Sequence, residues 1–247
     1  MRLLEVEGLT KQYPSFTLDH VSFTLEQGRI MGLIGKNGAG KSTTLKSMLN
    51  MVCLDSGTIR MFGRDFRHDE EACKQNIGVV LGGIQFYLDK KLQTITHVTK
   101  RFYREWDDAA YRKYLSLFEL DERKTVRQLS EGMKVKYLIA LALSHNAKLL
   151  IFDEPTSGLN PVAREDLLEL FQQLVKGGER SILFSTHITS DLDKCADAIT
   201  YIKNGKVLAS AEKAAFLRSF QSLKQPGEGD LTLEDIMVRN ERRTYDV

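Results

Sequence analysis

The feature that most constrains this chain is a glycine-rich stretch, GKNGAGKST, at residues 35–43. It matches the phosphate-binding pattern G-x-x-x-x-G-K-[ST], with Gly35, Gly40, Lys41 and Ser42 at the fixed positions. A short apolar run precedes it and predicts a buried strand, and the residues that follow predict a helix. Strand, loop and helix N-terminus together aim main-chain N–H groups at phosphate oxygens. The stretch therefore predicts a nucleoside triphosphate site rather than an ordinary glycine-rich turn.

Two side chains of this loop have predicted roles beyond the main-chain cradle. Lys41 can reach the β- and γ-phosphates, and the hydroxyl of Ser42 can hold Mg²⁺. The other residues of the loop are candidate nucleotide contacts alongside them: Gly35, Lys36, Asn37, Gly38, Ala39, Gly40 and Thr43.

A pair of carboxylates forms the second part of the predicted site. Asp153 and Glu154 follow an apolar run, residues 149–152, which predicts a buried strand. Carboxylates at the C-terminal end of a parallel strand lie beside the phosphate loop in a doubly wound sheet. Because Mg²⁺ takes few carboxylates and keeps several waters, Asp153 suits its coordination shell. Glu154 would then accept a proton from the attacking water, a role typically worth ~10²–10⁴-fold in rate.

His187 is the third candidate for catalysis. It follows a further apolar run, residues 182–184, and so stands at the end of another predicted strand. There its imidazole can hydrogen-bond the γ-phosphate and the attacking water. A histidine in a loop more often has no such role, and its place after the second apolar strand is what favours a catalytic one.

The spacing of apolar residues divides the chain into a core, a helical region and a tail. The first part of the chain alternates polar and apolar residues, which predicts antiparallel strands. Apolar runs separated by helices then predict a doubly wound α/β sheet within residues 1–84 and 146–215. Over residues 85–145 the apolar positions recur at helical spacing, which predicts a mostly helical region. The tail, residues 216–247, is expected to contain one more helix.

Composition excludes several classes of protein. The 247 residues are 28% charged and 42% hydrophobic, as in ordinary globular proteins, and a net charge of +2 does not indicate nucleic-acid binding. The apolar runs are much shorter than the about 20 residues that cross a bilayer. Cys53, Cys73 and Cys195 lack the spacing of zinc ligands, so we expect reduced packing residues.

Together these motifs resemble the nucleotide-binding subunits of ATP-binding cassette (ABC) transporters, over nearly the whole chain. Residues 129–133, LSEGM, resemble the family's LSGGQ signature, and residues 157–161, SGLNP, resemble its D-loop. His187 resembles its switch histidine, and Tyr13 stands where the family stacks an aromatic ring on adenine. The resemblance implies an α/β, P-loop NTPase-like cassette with a mixed sheet core, an N-terminal antiparallel β region and a helical subdomain.

The resemblance also implies an assembly. In this family two cassettes clamp two ATP molecules, and the signature of one chain completes the phosphate site of the other. Ser130 and Gly132 would then offer a hydroxyl and N–H groups to a γ-phosphate bound by the partner chain. Such helix-terminus electrostatics contribute ~0.3–1 kcal/mol at exposed sites and more where water is excluded. ATP and Mg²⁺ are the expected ligands, and the second cassette is either a copy of this chain or a paralogue.

Three sites depart from the family's pattern. The family has a glutamine where this chain has Gly82, and the nearest glutamine is Gln85. Either Gln85 reaches Mg²⁺ from a longer loop, or the site works without that ligand. Glu131 and Met133 replace a glycine and a glutamine of the signature, and Asn160 replaces the D-loop aspartate. Because the phosphate-facing residues of the signature and both carboxylates are present, we still expect an active ATPase.

Local stretches narrow the resemblance to bacterial ABC-2-type exporter cassettes, namely residues 101–107, 129–134 and 233–237. This implies a cytoplasmic, peripheral subunit on the inner face of the cell membrane, which works with a separate transmembrane permease subunit. Two alternatives are a soluble ABC ATPase that acts on ribosomes or DNA and an import-type cassette. The soluble ABC ATPases resemble tandem cassettes, or cassettes split by coiled coils or zinc modules, whereas this chain has one phosphate loop, no extended heptads and no paired cysteines. The tail is short for an importer that carries a regulatory domain. No nucleic-acid partner is expected.

Overall fold

The computed structural model describes residues 1–81, 87–224 and 228–242, which form ten strands and nine α-helices. The strands are β1 (Arg2–Tyr13), β2 (Phe16–Glu26), β3 (Ile30–Ile34), β4 (Ser56–Met61), β5 (Arg64–Asp65), β6 (Ile77–Leu81), β7 (Leu149–Asp153), β8 (Ser181–Thr186), β9 (Ala198–Lys203) and β10 (Lys206–Glu212). The helices are α1 (Lys41–Met48), α2 (Glu70–Lys74), α3 (Leu92–Thr99), α4 (Asp108–Leu117), α5 (Glu131–Ser144), α6 (Pro161–Val175), α7 (Thr189–Cys195), α8 (Lys213–Ser219) and α9 (Leu233–Glu241).

The larger sheet contains six strands in the order β10-β9-β3-β8-β7-β6. Its central pairings are parallel, and β10 pairs antiparallel with β9 at one edge. Strand β8 lies between β3 and β7, with Ile34 opposite Thr186 and Asp153 opposite Ser185. The C-terminal ends of these three strands therefore meet at one edge of the sheet. The expected mixed sheet is confirmed.

The smaller sheet is antiparallel and has the order β2-β1-β4-β5. It confirms the antiparallel region predicted from the alternating pattern at the start of the chain. Strands β1 and β2 are joined by a short turn between Tyr13 and Phe16, which pair with each other.

The central strands are buried on both faces, and alternate residues belong to two different cores. Ile30 and Ile34 of β3 point into a core shared with the helices, whereas Met31 and Leu33 point into a core shared with the smaller sheet and α1. Strands that are covered on both sides read as continuous apolar runs, since no face needs polar residues. This is why the sequence shows short apolar runs here instead of an alternating pattern.

The helical region and the tail pack on the same core as the sheet. Buried residues of α3, α4 and α5 belong to the core that contains Phe152 and Phe184. Phe216, Leu233 and Ile236 of the tail belong to it as well. Helix α8 begins at Lys213, so it crosses the boundary expected at residue 216. None of the helices within the described residues is both long and apolar enough to cross a membrane.

Candidate nucleotide site

The edge where β3, β7 and β8 end brings the predicted site residues together. The phosphate loop follows β3, the two carboxylates end β7, and His187 follows β8. Their convergence is a consequence of parallel pairing in register, because equivalent ends of neighbouring parallel strands lie side by side.

The phosphate loop has a backbone that only glycine adopts easily. Gly38 and Gly40 have φ angles of 81° and 115°, in the left-handed region that side chains disfavour. Gly40 is the N-cap of α1, so no side-chain cap occupies the first N–H groups of that helix. The first turn of α1 also lacks acidic residues. A helix start with free N–H groups and no negative charge fits a bound phosphate.

Lys41 is nearly buried and points back over the loop. Its Nζ donates to the main-chain oxygens of Gly35 at 2.7 Å and Lys36 at 3.3 Å. The same Nζ lies 3.2 Å from Oε1 of Glu154. The ammonium group therefore stands between the phosphate loop and the predicted catalytic carboxylate.

Asp153 is held by two hydroxyl groups. Ser42 donates to its Oδ1 at 3.0 Å, and Ser185 donates to the same oxygen at 2.5 Å. Oxygen ligands of this kind, few in number and close to a phosphate loop, fit Mg²⁺, which keeps several waters when it binds to proteins. Within the described residues there is no cluster of three or more histidine, cysteine or acidic side chains that would hold another kind of metal ion.

Glu154 adopts a strained backbone and has partners on both sides of its carboxylate. Its φ of 50° lies in the left-handed region, which is uncommon for a non-glycine residue and clusters at functional sites. Its N–H donates to the hydroxyl of Ser185 at 3.0 Å. Nδ1 of His187 lies 2.8 Å from Oε2 of Glu154, opposite the Lys41 contact on Oε1. The carboxylate is thus oriented by a histidine and a lysine.

A cavity of about 250 Å³ opens beside the two carboxylates. It is lined by Val80, Glu131, Val135, Asp153, Glu154, Pro155, Ser157 and Leu159. The beginning of the signature helix and the D-loop therefore border the same space as Glu154.

The two signature residues that are predicted to face a γ-phosphate, Ser130 and Gly132, lie at the start of α5. Ser130 is the N-cap, and its Oγ accepts from the N–H of Met133 at 3.3 Å. In the described part of the chain, no hydrogen bond joins Ser130 or Gly132 to the phosphate loop. Asn160, in the position of the D-loop aspartate, caps α6 by accepting from the N–H of Ala163 at 2.9 Å. Asn160 thus has a local structural role as a helix cap, which an aspartate would fill equally well.

Tyr13 packs near Phe16, and Phe16 lies next to the phosphate loop. The two rings are tilted with centroids 6.4 Å apart, and Tyr13 remains 37% exposed. A Cβ placed on Gly40 would stand 3.0 Å from Cζ of Phe16. The aromatic turn therefore borders the loop, and Nζ of Lys11 lies over the Tyr13 ring, 5.9 Å from its centroid. Gln85, the candidate Mg²⁺ ligand, lies outside the described residues.

Sequence reasoning missed two buried groups that hold the site. Ser185 bonds both Asp153 and Glu154, and its only sequence signal is a polar residue at the end of an apolar run. Asp191 is fully buried and accepts from Thr156 at 2.6 Å and from Arg164 at 2.5 Å. It therefore ties the segment after Glu154 to helix α7, which follows the His187 loop.

Comparison with known proteins places the chain among ABC proteins. The family model described as ABC transporter matches residues 18–157. The ABC-type transporter ATP-binding protein EcsA of Bacillus subtilis is 33% identical over 95% of this chain and 96% of its own length. The bacitracin transport ATP-binding protein BcrA of Bacillus licheniformis is 32% identical over 83% of this chain and 68% of its own. The Nod factor export ATP-binding protein I of Ralstonia nicotianae is 32% identical over 85% and 67%.

A solved structure agrees with these relatives. The structure of the ATP-binding subunit of an ABC transporter superposes with a TM-score of 0.83 and 28% identity, over 97% of this chain and 100% of that one. The resemblance drawn from the motifs is confirmed, as is the fold class. The chain belongs to the ABC transporter family, as one of the ATP-binding cassettes that hydrolyse ATP to power transport.

Proposed function

We propose that this cassette powers an exporter, and that two cassettes close over ATP on the inner face of the membrane. One observation carries the chemistry: Lys41, Ser42, Asp153, Glu154 and His187 meet at one sheet edge, joined by contacts of 3.2 Å or less. Positioning and charge stabilisation are the main contributions that a protein makes to phosphoryl transfer. This arrangement offers both.

Each side chain has a role that follows from its contacts. The loop N–H groups and Lys41 bind the phosphates, and Ser42 and Asp153 would hold Mg²⁺, which neutralises charge on the phosphate oxygens. Glu154 accepts the proton of the attacking water. The 2.8 Å contact allows Nδ1 of His187 to donate to the Glu154 carboxylate, and the second ring nitrogen, Nε2, then serves the attacking water or the γ-phosphate.

The signature residues act on the partner's nucleotide in this proposal. Ser130 uses an oxygen lone pair to accept from Met133, so its hydroxyl hydrogen remains available as a donor. The two cassettes would be copies of this chain or this chain and a paralogue.

Export is supported by the named relatives and by the exporter-like stretches. One relative is named for bacitracin transport and another for Nod factor export. A cassette of this kind would work with a separate transmembrane permease, which would hold it at the inner face of the membrane.

The catalytic assignment is tested by Glu154→Gln. We expect ATP hydrolysis to fall by ~10²–10⁴-fold, since the amide cannot accept the proton, while ATP binding persists. Sedimentation of the Glu154→Gln protein with ATP and Mg²⁺ should then show a dimer. Adding Ser130→Ala to this variant should weaken that dimer. Hydrolysis by Glu154→Gln at the unmodified rate would refute the role of Glu154, and a monomer under all conditions would refute the clamp.

The transport assignment is tested by affinity purification of the tagged chain from detergent-solubilised native cells, with and without ATP. One polytopic membrane protein in near-equal amount is the expected result, and a second cassette alongside it would favour a heterodimer. Recovery of ribosomes or DNA without a membrane partner would refute transport. The direction is then measured with the purified complex in vesicles of defined orientation, where ATP-driven uptake toward the cassette side would refute export.

A further inference from the structure

The end of helix α9 contacts the phosphate loop directly. Lys36, in the second position of the loop, donates from Nζ to the main-chain oxygen of Glu241 at 2.9 Å. The same Nζ lies 3.5 Å from the Glu241 carboxylate. The loop is therefore joined to a residue 205 positions away in sequence through a carbonyl and a charge.

Glu241 is itself held by the core of the protein. The hydroxyl of Tyr201, a buried residue of β9, donates to its Oε1 at 2.9 Å. Burial, together with this hydrogen bond, raises the pKa of Tyr201, so the hydroxyl keeps its proton. Lys203 of the same strand donates from Nζ to the main-chain oxygen of Asn240 at 2.5 Å. Two ammonium groups thus bind the last carbonyls of α9, where the helix dipole is negative.

Strand β9 also forms the outer wall of the phosphate loop. A Cβ on Gly35 would lie 2.3 Å from the main-chain oxygen of Ile202, so the loop is packed closely against β9. On the inner side, the main-chain oxygen of Lys36 accepts from Nζ of Lys41 at 3.3 Å. Lys36 therefore stands between helix α9 on the outside and the phosphate-binding lysine on the inside.

Helix α9 also lies near the His187 loop of the nucleotide site. A groove of about 430 Å³ separates it from the loop after β8, and its lining includes Lys36, His187, Met237 and Glu241. The buried residues Leu233 and Ile236 dock the helix on the core. The end of α9 is thus fixed in place next to two segments of the nucleotide site.

We propose that Glu241 is a positioning residue for nucleotide binding, which holds Lys36 and thereby keeps the phosphate loop in its binding conformation. The proposal rests on the proposed function, since it needs the loop to be the nucleotide site. A loop that is ordered in advance spares the ligand the entropy loss of ordering it, which raises affinity. If only a fraction of the loops is preformed, the apparent affinity falls by that fraction.

The effect should appear in binding and leave the hydrolytic step unchanged. Glu241 contacts neither Asp153 nor Glu154 in the described hydrogen bonds and ion pairs. ADP carries the α- and β-phosphates that such a loop cradles, so ADP with Mg²⁺ is a suitable probe that is not consumed. Calorimetric titration of the full chain then measures the dissociation constant directly.

In this titration Glu241→Ala and Lys36→Met should each raise the dissociation constant of ADP by about 3- to 10-fold. The double variant should be no weaker than Lys36→Met alone, because Lys36→Met already removes the ion pair that Glu241→Ala removes. Glu241→Gln should have a smaller effect, because its amide oxygen still accepts from Tyr201. In the ATPase assay the KM of Glu241→Ala should rise by the same factor while its kcat stays unchanged.

Arg239→Gln is the matched control on the same helix. It removes the pair with Glu228 and the bond to the main-chain oxygen of Leu223, and it leaves the Lys36 contact intact. We expect ADP affinity equal to that of the unmodified chain. An equal loss in Arg239→Gln and Glu241→Ala would overturn the proposal, because any loosening of α9 would then suffice.

A second result would also overturn it. If Glu241→Ala lowers the melting temperature and leaves ADP affinity unchanged, then Glu241 has a structural role alone. Failure of the proposed nucleotide site is recognised separately, because the unmodified chain would then bind no ADP.

Discussion

Replacement of Ser185 by alanine is expected to slow ATP hydrolysis strongly in a folded protein. The fully buried hydroxyl donates to Asp153 at 2.5 Å and accepts from the N–H of Glu154 at 3.0 Å. One substitution therefore removes a support from each carboxylate of the site. Among the described side chains, Ser42 alone would still donate to Asp153.

The size of the effect follows from the charge on Asp153. A hydrogen bond to a charged group contributes ~1.5–3 kcal/mol. If the transition state loses this amount, the rate falls by roughly 10- to 150-fold, since ~1.36 kcal/mol corresponds to a factor of ten. The dependence on Mg²⁺ should shift to higher concentration, because Asp153 is the proposed ligand and becomes less well oriented.

The assay is phosphate release by the purified protein over a range of Mg²⁺ concentrations, with Ser181→Ala as the control. Ser181 begins the same strand, is equally buried, and bonds the N–H of Gly28 at 2.8 Å and the oxygen of Glu26 at 3.3 Å. Loss of the Ser181 hydroxyl should lower the stability of the protein without affecting hydrolysis, since Ser181 lies at the end of β8 away from the two carboxylates. A Ser185→Ala protein with unchanged rate and Mg²⁺ dependence, or an equal decline in Ser181→Ala, would refute the reasoning.

Two further predictions concern stability. Phe171→Ala should lower the free energy of unfolding in urea by ~3–5 kcal/mol, because the ring is buried and stacks on Phe152 at 4.7 Å; a loss below about 1 kcal/mol would show that the space collapses. Burial lowers the pKa of His145 to about 4, so between pH 6.5 and pH 4 the unfolded chain binds a proton that the folded chain does not. Stability should therefore fall by up to about 3 kcal/mol as the pH falls through this window. His145→Phe, which keeps the stack on Tyr103, should remove that part of the dependence; an unchanged pH profile would contradict the assignment.

The convergence of the site could be predicted from sequence because each part follows its own apolar run. The loop after β3, the carboxylates of β7 and His187 after β8 all lie at the ends of strands that are buried on both faces. Parallel sheets place such ends together, so local patterns are enough to predict a common site. Motif order then pointed to the family.

The supports of the site could not be predicted in this way. Ser185 is informative only once the register places it opposite Asp153, and that register is a property of two strands far apart in sequence. The contact between Lys36 and Glu241 depends on where α9 docks, which buried residues such as Ile236 determine through tertiary packing. Local periodicity predicted a helix in the tail, but it carries no information about which surface the helix covers.

Ser185 bonds the two carboxylates whereas Glu241 contacts Lys36 of the phosphate loop, so their effects should be independent. Ser185 acts on the carboxylates and hence on kcat, whereas Glu241 acts on Lys36 and hence on KM. Lys41 connects the two regions, because its Nζ lies 3.3 Å from the main-chain oxygen of Lys36 and 3.2 Å from Oε1 of Glu154. In the double variant Ser185→Ala/Glu241→Ala, kcat/KM should fall by the product of the two single effects. A coupling energy above about 0.5 kcal/mol would contradict this independence, and it would mean that Lys41 transmits the loss of the Lys36–Glu241 contact to Glu154, the proposed catalytic carboxylate.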